Sequence, residues 1–178
     1  MGYSIWLNFS QPCAQRLQDR IESFSKRNSS PCFQPHLTLL GDMDLGLDEV
    51  RKVAEIFRDG SVPRDLPVQD VGRSDRYFMA LFLSVEIPAT LQLARKQSAL
   101  MAGQGTRQLD APHVSLAYGE FKPECLAQDL GTLKQEFSNA RLSVGSISIV
   151  HSSKTVPISE WKPIETFSLR PQDAGSPE

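Results

Sequence analysis

Apolar positions recur along this chain with two different periods, which predict a mixture of strands and helices. Residues 3–9 are rich in aromatic and β-branched side chains and predict a strand. A helix is predicted next, with Ser10 as its N-cap and an apolar stripe formed by Leu17, Ile21 and Phe24. The turn-forming residues 28–31 end this helix, and a second strand is predicted over about residues 32–40.

The second half of the chain repeats this order. Residues 77–86 predict a strand, and Pro88 opens a helix. The buried stripe predicted for this helix consists of Leu93, Ala94, Leu100 and Met101. Gly103 and Gly105 are predicted to end the helix, and another strand is expected over about residues 111–118. The recurrence predicts two halves built to one plan.

Further elements complete each half. Helices are predicted over residues 47–58 and 123–138, from apolar residues at helical spacing. Strands are predicted over 68–72, 142–150 and 161–169, with a bulge at Gly145. Residues 170–178 are polar and rich in Pro and Gly, which predicts a disordered tail.

This order of elements predicts an α+β fold, because strands and helices mix without strict alternation. We expect one bilobal domain over residues 1–169, with two antiparallel-dominated sheets lining a central cleft and helices on their outer faces. If a pseudo-twofold axis relates the lobes, the second strand of each half lies beside its counterpart in the cleft.

Those two strands carry the same short motif. Residues 33–38 end in Pro35-His36-Leu37-Thr38, and residues 112–115 are Pro112-His113-Val114-Ser115. Alternate side chains of a strand share a face, so each histidine projects beside the hydroxyl of its own motif. The whole chain contains only three histidines, so matching contexts for two of them favour a shared function. The third, His151, has no such motif and is interpreted as a surface residue near a strand end.

Two imidazoles and two hydroxyls suit phosphate ester chemistry. Hydrolysis of a phosphodiester needs a base for water, an acid for the departing oxygen and donors for the non-bridging oxygens. Histidine serves both proton transfers near neutral pH, and Thr38 and Ser115 can hold the phosphoryl group. We therefore predict His36, Thr38, His113 and Ser115 as catalytic residues. The mechanism requires neither a metal nor a cofactor, and the sequence suggests none.

Charge and cysteine content narrow the classes of protein and partner. The chain has 178 residues and a net charge of −2, and its basic residues are scattered, which favours a small anionic ligand over a long nucleic acid. The N-terminus lacks the features of a signal peptide, and no apolar run is long enough to span a membrane. We expect a soluble cytoplasmic monomer. Three cysteines without metal-binding spacing argue against a disulfide framework and a zinc site.

With these motifs in place, the sequence resembles the 2H phosphoesterase superfamily, and within it the plant and fungal-type cyclic phosphodiesterases. The likeness extends over about residues 3–169 and includes Tyr3-Ser4-Ile5-Trp6 at the start and the two motifs above. The resemblance implies hydrolysis of ADP-ribose 1″,2″-cyclic phosphate to the 1″-phosphate and of nucleoside 2′,3′-cyclic phosphates to nucleoside 2′-phosphates. Within that framework we predict His113 as the base toward water and His36 as the acid toward the leaving group.

Aromatic side chains are the candidate platform for the nucleobase, because stacking tolerates different bases. Trp6 and Tyr118 match positions that line the cleft in similar proteins. Tyr77 and Phe78 alternate along a predicted strand, so only one of them is expected to face the ligand. Arg107, in a glycine-containing loop before the second motif, is a candidate phosphate contact.

Trp161 is interpreted as structural.

Three alternative functions remain. The first is a 2H enzyme acting on RNA ends: a tRNA-splicing 2′,3′-cyclic phosphodiesterase, a 2′,5′-phosphodiesterase or an RNA 3′-exonuclease. The second is a nucleotide-binding module without catalysis, and the third is an interaction scaffold in which the motifs are accidental.

Overall fold

The two halves of the chain have the same order of elements, strand, helix, strand, helix and strand. A computed structural model describes residues 2–58, 61–104, 111–152 and 156–169. The first half contains β1 Tyr3–Phe9, α1 Cys13–Asn28, β2 His36–Met43, α2 Leu47–Glu55 and β3 Asp65–Arg73. The second half contains β4 Leu81–Val85, α3 Ala89–Met101, β5 His113–Ala117, α4 Pro123–Phe137 and β6 Arg141–His151. The last strand is β7, Pro163–Ser168.

The strands form one antiparallel sheet in the order β1-β2-β5-β4-β3-β6-β7, and a further pairing of β1 with β6 closes six of them into a ring. Exchanging each strand of the first half for its counterpart in the second maps this ring onto itself. The sequence predicts two sheets, and the structure differs because two junctions join them. At one junction β2 meets β5, with Leu37 opposite Val114. At the other, residues 65–67 of β3 pair with residues 141–143 of β6.

The two faces of the ring differ in chemistry. Ile5, Leu7, Leu37 and Leu39 belong to the hydrophobic core, together with the buried faces of the helices. In α1 that face consists of Leu17, Ile21 and Phe24, as the apolar period predicts. The alternate strand positions point to the other face, toward the interior of the ring, and they include both histidines of the motifs.

Strand β6 contains the bulge predicted at Gly145. Asn8 pairs with Ser146 and the next residue of β1, Phe9, pairs with Val144, so Gly145 is the extra residue. A Cβ at Gly145 would lie 3.0 Å from the backbone nitrogen of Ser10, which explains the glycine. The bulge therefore lets β1 and β6 stay paired while the ring curves.

Of the four residues predicted for the buried face of α3, Ala94 is buried and the other three are exposed. Leu93, Leu100 and Met101 are 56%, 60% and 51% exposed, and the side that packs against the sheet includes Leu91 and Arg95. Arg95 Nε donates a hydrogen bond to the backbone oxygen of Leu39 at 3.1 Å. This carbonyl lies beyond the point where β2 pairs with β5. A long-range hydrogen bond to β2 therefore helps select the buried face, and hydrophobicity alone does not.

The strand predicted at residues 77–86 also begins later than expected. Residues Tyr77–Met79 form a short 3₁₀ turn, and β4 starts at Leu81. The backbone oxygen of Tyr77 accepts a hydrogen bond from the amide of Gly119 at 2.8 Å. The turn is thus tied to the end of β5, next to the second motif.

Candidate active site

The two motif strands are neighbours in the sheet. β2 and β5 run antiparallel with Leu37 opposite Val114. Extending this register by one residue in each direction sets His36 opposite Ser115 and Thr38 opposite His113. All four side chains therefore lie on the face opposite to that of Leu37 and Val114, so the structure brings together the four residues predicted from the motifs.

Both imidazoles are held in the same way. Nδ1 of His36 lies 2.7 Å from the backbone oxygen of Gln34, and Nδ1 of His113 lies 2.8 Å from that of Ala111. A carbonyl only accepts, so in each ring Nδ1–H is the donor. In the neutral imidazole the lone pair is then on Nε2, at the other side of the ring. Each histidine consequently presents the nitrogen that can take or deliver a proton.

His36 is the more enclosed of the two histidines. It is 6% exposed, and its ring stacks on the buried indole of Trp6 with centroids 3.6 Å apart and an interplanar angle of 7°. Burial lowers the pKa of His36 from its ordinary value of 6.5 to about 4, against the hydrogen bond to Gln34, which raises it. The charge of His113 also lowers it, so the two imidazoles are close enough to interact.

The hydroxyls occupy different surroundings. Ser115 is 5% exposed, and its Oγ donates a hydrogen bond to the backbone oxygen of Phe78 at 2.8 Å. Thr38 is half-buried and pairs across the sheet with Trp6. Ser115 therefore links the second motif to the 3₁₀ turn. Thr38, on β2, lies between Trp6 of β1 and His113 of β5.

Tyr118, a predicted ligand contact, is close to His36. Its hydroxyl oxygen lies 3.5 Å from Nε2 of His36, at the outer limit of a hydrogen bond. Its ring stacks on Phe33 with centroids 3.7 Å apart, and its burial raises the pKa of the phenol. Phe33 was not predicted as a site residue, although its position three residues before His36 was visible in the sequence.

The structure does not give Tyr77 and Phe78 the alternating strand positions predicted for them. Both are 38% exposed, because they belong to the 3₁₀ turn and not to a strand with alternating faces. Phe78 packs edge-on against Tyr118 at 5.3 Å and lies 5.7 Å from Trp161. Trp161 itself lies 6.3 Å from both Trp6 and Tyr118. The residue interpreted as structural therefore lies among the aromatic rings near His36.

This aromatic cluster lies on the His36 side of the motif pair. We define it as Trp6, Phe33, Phe78, Tyr118 and Trp161, each within reach of at least one other ring in the set. The imidazole of His113 instead has Phe82 as its aromatic neighbour, with centroids 5.9 Å apart. The two motifs thus have equivalent backbone positions and unequal surroundings.

Two predicted features, the candidate phosphate contact Arg107 and the tail at residues 170–178, lie outside the described residues. His151 ends β6, and its ring lies 5.4 Å from that of Tyr3.

Within the described ranges there is no group of three or more His, Cys, Asp or Glu side chains that could hold a metal ion. No helix in that part of the chain has the length and apolar character needed to cross a membrane.

Comparison with known proteins identifies the family. A family model described as cyclic phosphodiesterase-like protein matches residues 1–169. The chain is 25% identical over 122 residues to a cyclic phosphodiesterase of Arabidopsis thaliana, a match that spans 68% of this chain and 67% of the plant protein.

Solved structures support the same fold. TT0787 of Thermus thermophilus is 17% identical, with a TM-score of 0.60, and the match covers 96% of this chain and 98% of that one. E. coli LigT complexed with 3′-AMP is 13% identical, with a TM-score of 0.57, and the match covers 95% of this chain and 99% of LigT. Since the family model spans nearly the whole sequence, the chain belongs to the cyclic phosphodiesterase-like family of the 2H phosphoesterases.

Proposed function

We propose that this protein hydrolyses small cyclic phosphodiesters by a two-histidine acid/base mechanism that needs no metal. The substrates are nucleoside 2′,3′-cyclic phosphates, opened to nucleoside 2′-phosphates, and ADP-ribose 1″,2″-cyclic phosphate, opened to the 1″-phosphate. The observation that carries this proposal is the pairing of β2 with β5, with two matching motifs on one face and both Nδ1 atoms held by backbone carbonyls.

The reaction balances with the groups at hand. The base takes a proton from water as the water oxygen forms a bond to phosphorus. The P–O bond on the opposite side breaks, and the acid donates its proton to the departing ribose oxygen. Thr38 hydrogen-bonds one non-bridging oxygen, where negative charge is concentrated, and Ser115 hydrogen-bonds another once its single proton turns from the Phe78 carbonyl to the phosphate. After one turnover the base carries an extra proton and the acid has lost one. A second turnover therefore needs only proton exchange with solvent.

The position of the aromatic cluster favours His36 as the acid. A nucleobase stacked in that cluster puts its ribose, and therefore the leaving oxygen, on the His36 side. Water then attacks from the opposite side of phosphorus, where His113 is only half-buried. This agrees with the roles expected from the sequence. The cost of charging His36 in its buried position is offset by the anionic phosphate that binds beside it.

Phosphorus NMR of the products tests this function. We expect 2′,3′-cyclic AMP to yield only the 2′-phosphate, because a fixed acid protonates one of the two ester oxygens. Treatment with EDTA should leave the rate unchanged. The variants His36→Ala and His113→Ala should each lose most of the turnover, and His151→Ala serves as the matched control because it removes an imidazole at the far end of β6.

Substrate size distinguishes the main alternatives. If an oligonucleotide ending in a 2′,3′-cyclic phosphate reacts much faster than the mononucleotide, the protein acts on RNA ends. Nucleotide binding by calorimetry without product after long incubation would show a binding module. Unchanged turnover in both histidine variants would contradict the two-histidine mechanism itself.

A further inference from the structure

Phe82 occupies the position in the second half that Trp6 occupies in the first. Trp6 pairs with Thr38 on one side and Ser148 on the other. Phe82 pairs with Ser115 on one side and Gly72 on the other. Exchange of the two halves maps β1 onto β4, β2 onto β5 and β6 onto β3, so each aromatic residue lies opposite the hydroxyl of a motif.

Each of these aromatic residues touches the histidine of the motif beside it, with different geometry. Trp6 lies flat on His36, at 3.6 Å and 7°. Phe82 meets His113 at 5.9 Å and 74°, an edge-to-face contact. A flat contact covers a ring face and excludes water from it. An edge-to-face contact restricts the plane of the imidazole while a large part of its surface stays in water.

Gly72 explains why the ring of Phe82 can adopt this position. A Cβ added at Gly72 would lie 2.5 Å from Cζ of Phe82, 2.9 Å from Cε2 and 3.1 Å from Cε1. Any other residue would therefore push the phenyl ring from its place. The glycine is used here for close approach of a side chain to the backbone. In the first half the corresponding neighbour of Trp6 is Ser148.

From these contacts we propose that Phe82, seated on Gly72, is the positioning residue of His113. The inference rests on the proposed function, in which His113 activates water. The hydrogen bond from Nδ1 to Ala111 fixes one edge of the imidazole, and the phenyl contact fixes its tilt. Nε2 then stays directed at the water position although His113 is half-buried rather than enclosed like His36. Trp6 and Phe82 thus adapt two equivalent histidines to a buried and a solvated role.

The variants Phe82→Leu and Gly72→Ala test this role. Leucine removes the ring, and alanine at position 72 displaces it. We expect each change to lower kcat for 2′,3′-cyclic AMP by about tenfold with KM within about twofold, because misdirection of the base affects the chemical step. The imidazole Hε1 resonance of His113 should shift, and that of His36 should stay in place.

Matched controls come from the same chain. Phe167→Leu makes the same change at a half-buried ring packed under the guanidinium of Arg58. Gly131→Ala adds a methyl group where no atom lies within 4 Å. Equal losses in these controls, or wild-type kcat and His113 resonance in both test variants, would overturn the proposal. If Phe82→Leu does not fold, Gly72→Ala and its control decide.

The two proposals fail separately. A wild-type protein that opens none of the cyclic phosphates contradicts the proposed function. In that case a His113 resonance that stays in place in both test variants still counts against the positioning role. A wild-type protein that turns over normally, with a His113 resonance that is insensitive to Phe82, contradicts only the positioning role.

Discussion

Replacing His36 by Asn should remove a specific part of the acid sensitivity of this protein. The folded pKa of His36 is about 4, because the ring is buried against Trp6, and its ordinary value is 6.5. As the pH falls through 6.5, the unfolded chain binds a proton at this residue and the folded chain does not. The stability that His36 contributes is therefore present above pH 6.5 and is lost as the pH falls toward 4.

The size of this effect follows from the two pKa values. The gap of about 2.5 pH units corresponds to about 3 kcal/mol of unfolding free energy lost between pH 6.5 and pH 4. A loss of this size is a large part of the stability of an ordinary domain, which is about 5–15 kcal/mol. Carboxylates titrate over the same range, so the wild-type curve alone does not isolate His36.

Comparing the wild type with the variant His36→Asn isolates the contribution of His36 to the pH dependence of stability. The Nδ2 amide of an asparagine at position 36 can donate to the Gln34 carbonyl as Nδ1 does, and it does not titrate. Urea unfolding from pH 7.5 to pH 4 should give a curve about 3 kcal/mol flatter for His36→Asn than for wild type. His151→Asn is the matched control for the loss of an imidazole elsewhere in the sheet. Parallel curves for wild type and His36→Asn would refute the burial argument.

Three further results are expected. Ser115→Ala should lower kcat by about 10- to 100-fold through the loss of a phosphate donor, and steady-state kinetics checks this. Trp6→Leu should raise the pKa of His36 from about 4 toward 6.5, since the covering ring is gone, and histidine NMR titration measures it. Leu91→Ala should cost about 2–5 kcal/mol in denaturant unfolding, whereas Leu100→Ala should stay within about 0.5 kcal/mol, because only Leu91 is buried.

Local patterns in the sequence predict the motif strands and their partnership. The alternation around Leu37 and Val114 predicts which face each histidine takes, and the structure has both on one face. The repeated order of elements predicts that the motif strands are neighbours. These predictions succeed because a strand period and an internal repeat are properties of short segments and of their order, which the sequence carries directly.

Long-range hydrogen bonds account for much of what the sequence does not predict. The strand pattern at Tyr77 and Phe78 is real, yet their backbone oxygens bind the Gly119 amide and the Ser115 hydroxyl, so the segment turns. Arg95 is buried in α3 because Leu39 offers it a carbonyl. In each case the partner is distant in sequence, and no local period indicates it.

The closure of six strands into a ring also depends on partners that are distant in sequence. β1 pairs with β6 along its whole length, from Tyr3 opposite His151 to Phe9 opposite Val144. This pairing joins the first strand of the chain to one more than 130 residues later, which hydrophobic alternation cannot specify. All seven residues of β1 are buried, so Trp6 is a fixed wall for His36 and not a mobile surface side chain.

In the proposed mechanism, burial of His36 is compatible with its role as an acid only if the substrate supplies the missing charge. Near neutral pH the unliganded protein keeps His36 neutral, because burial excludes water from its ring. A phosphodiester anion bound between the motifs stabilises the imidazolium at short range, so His36 gains its proton when the substrate arrives. An acid made in this way gives up its proton readily as the phosphate charge moves to the leaving oxygen. The flat indole of Trp6 serves both states, since it excludes water from the neutral ring and offers a π face to the charged one.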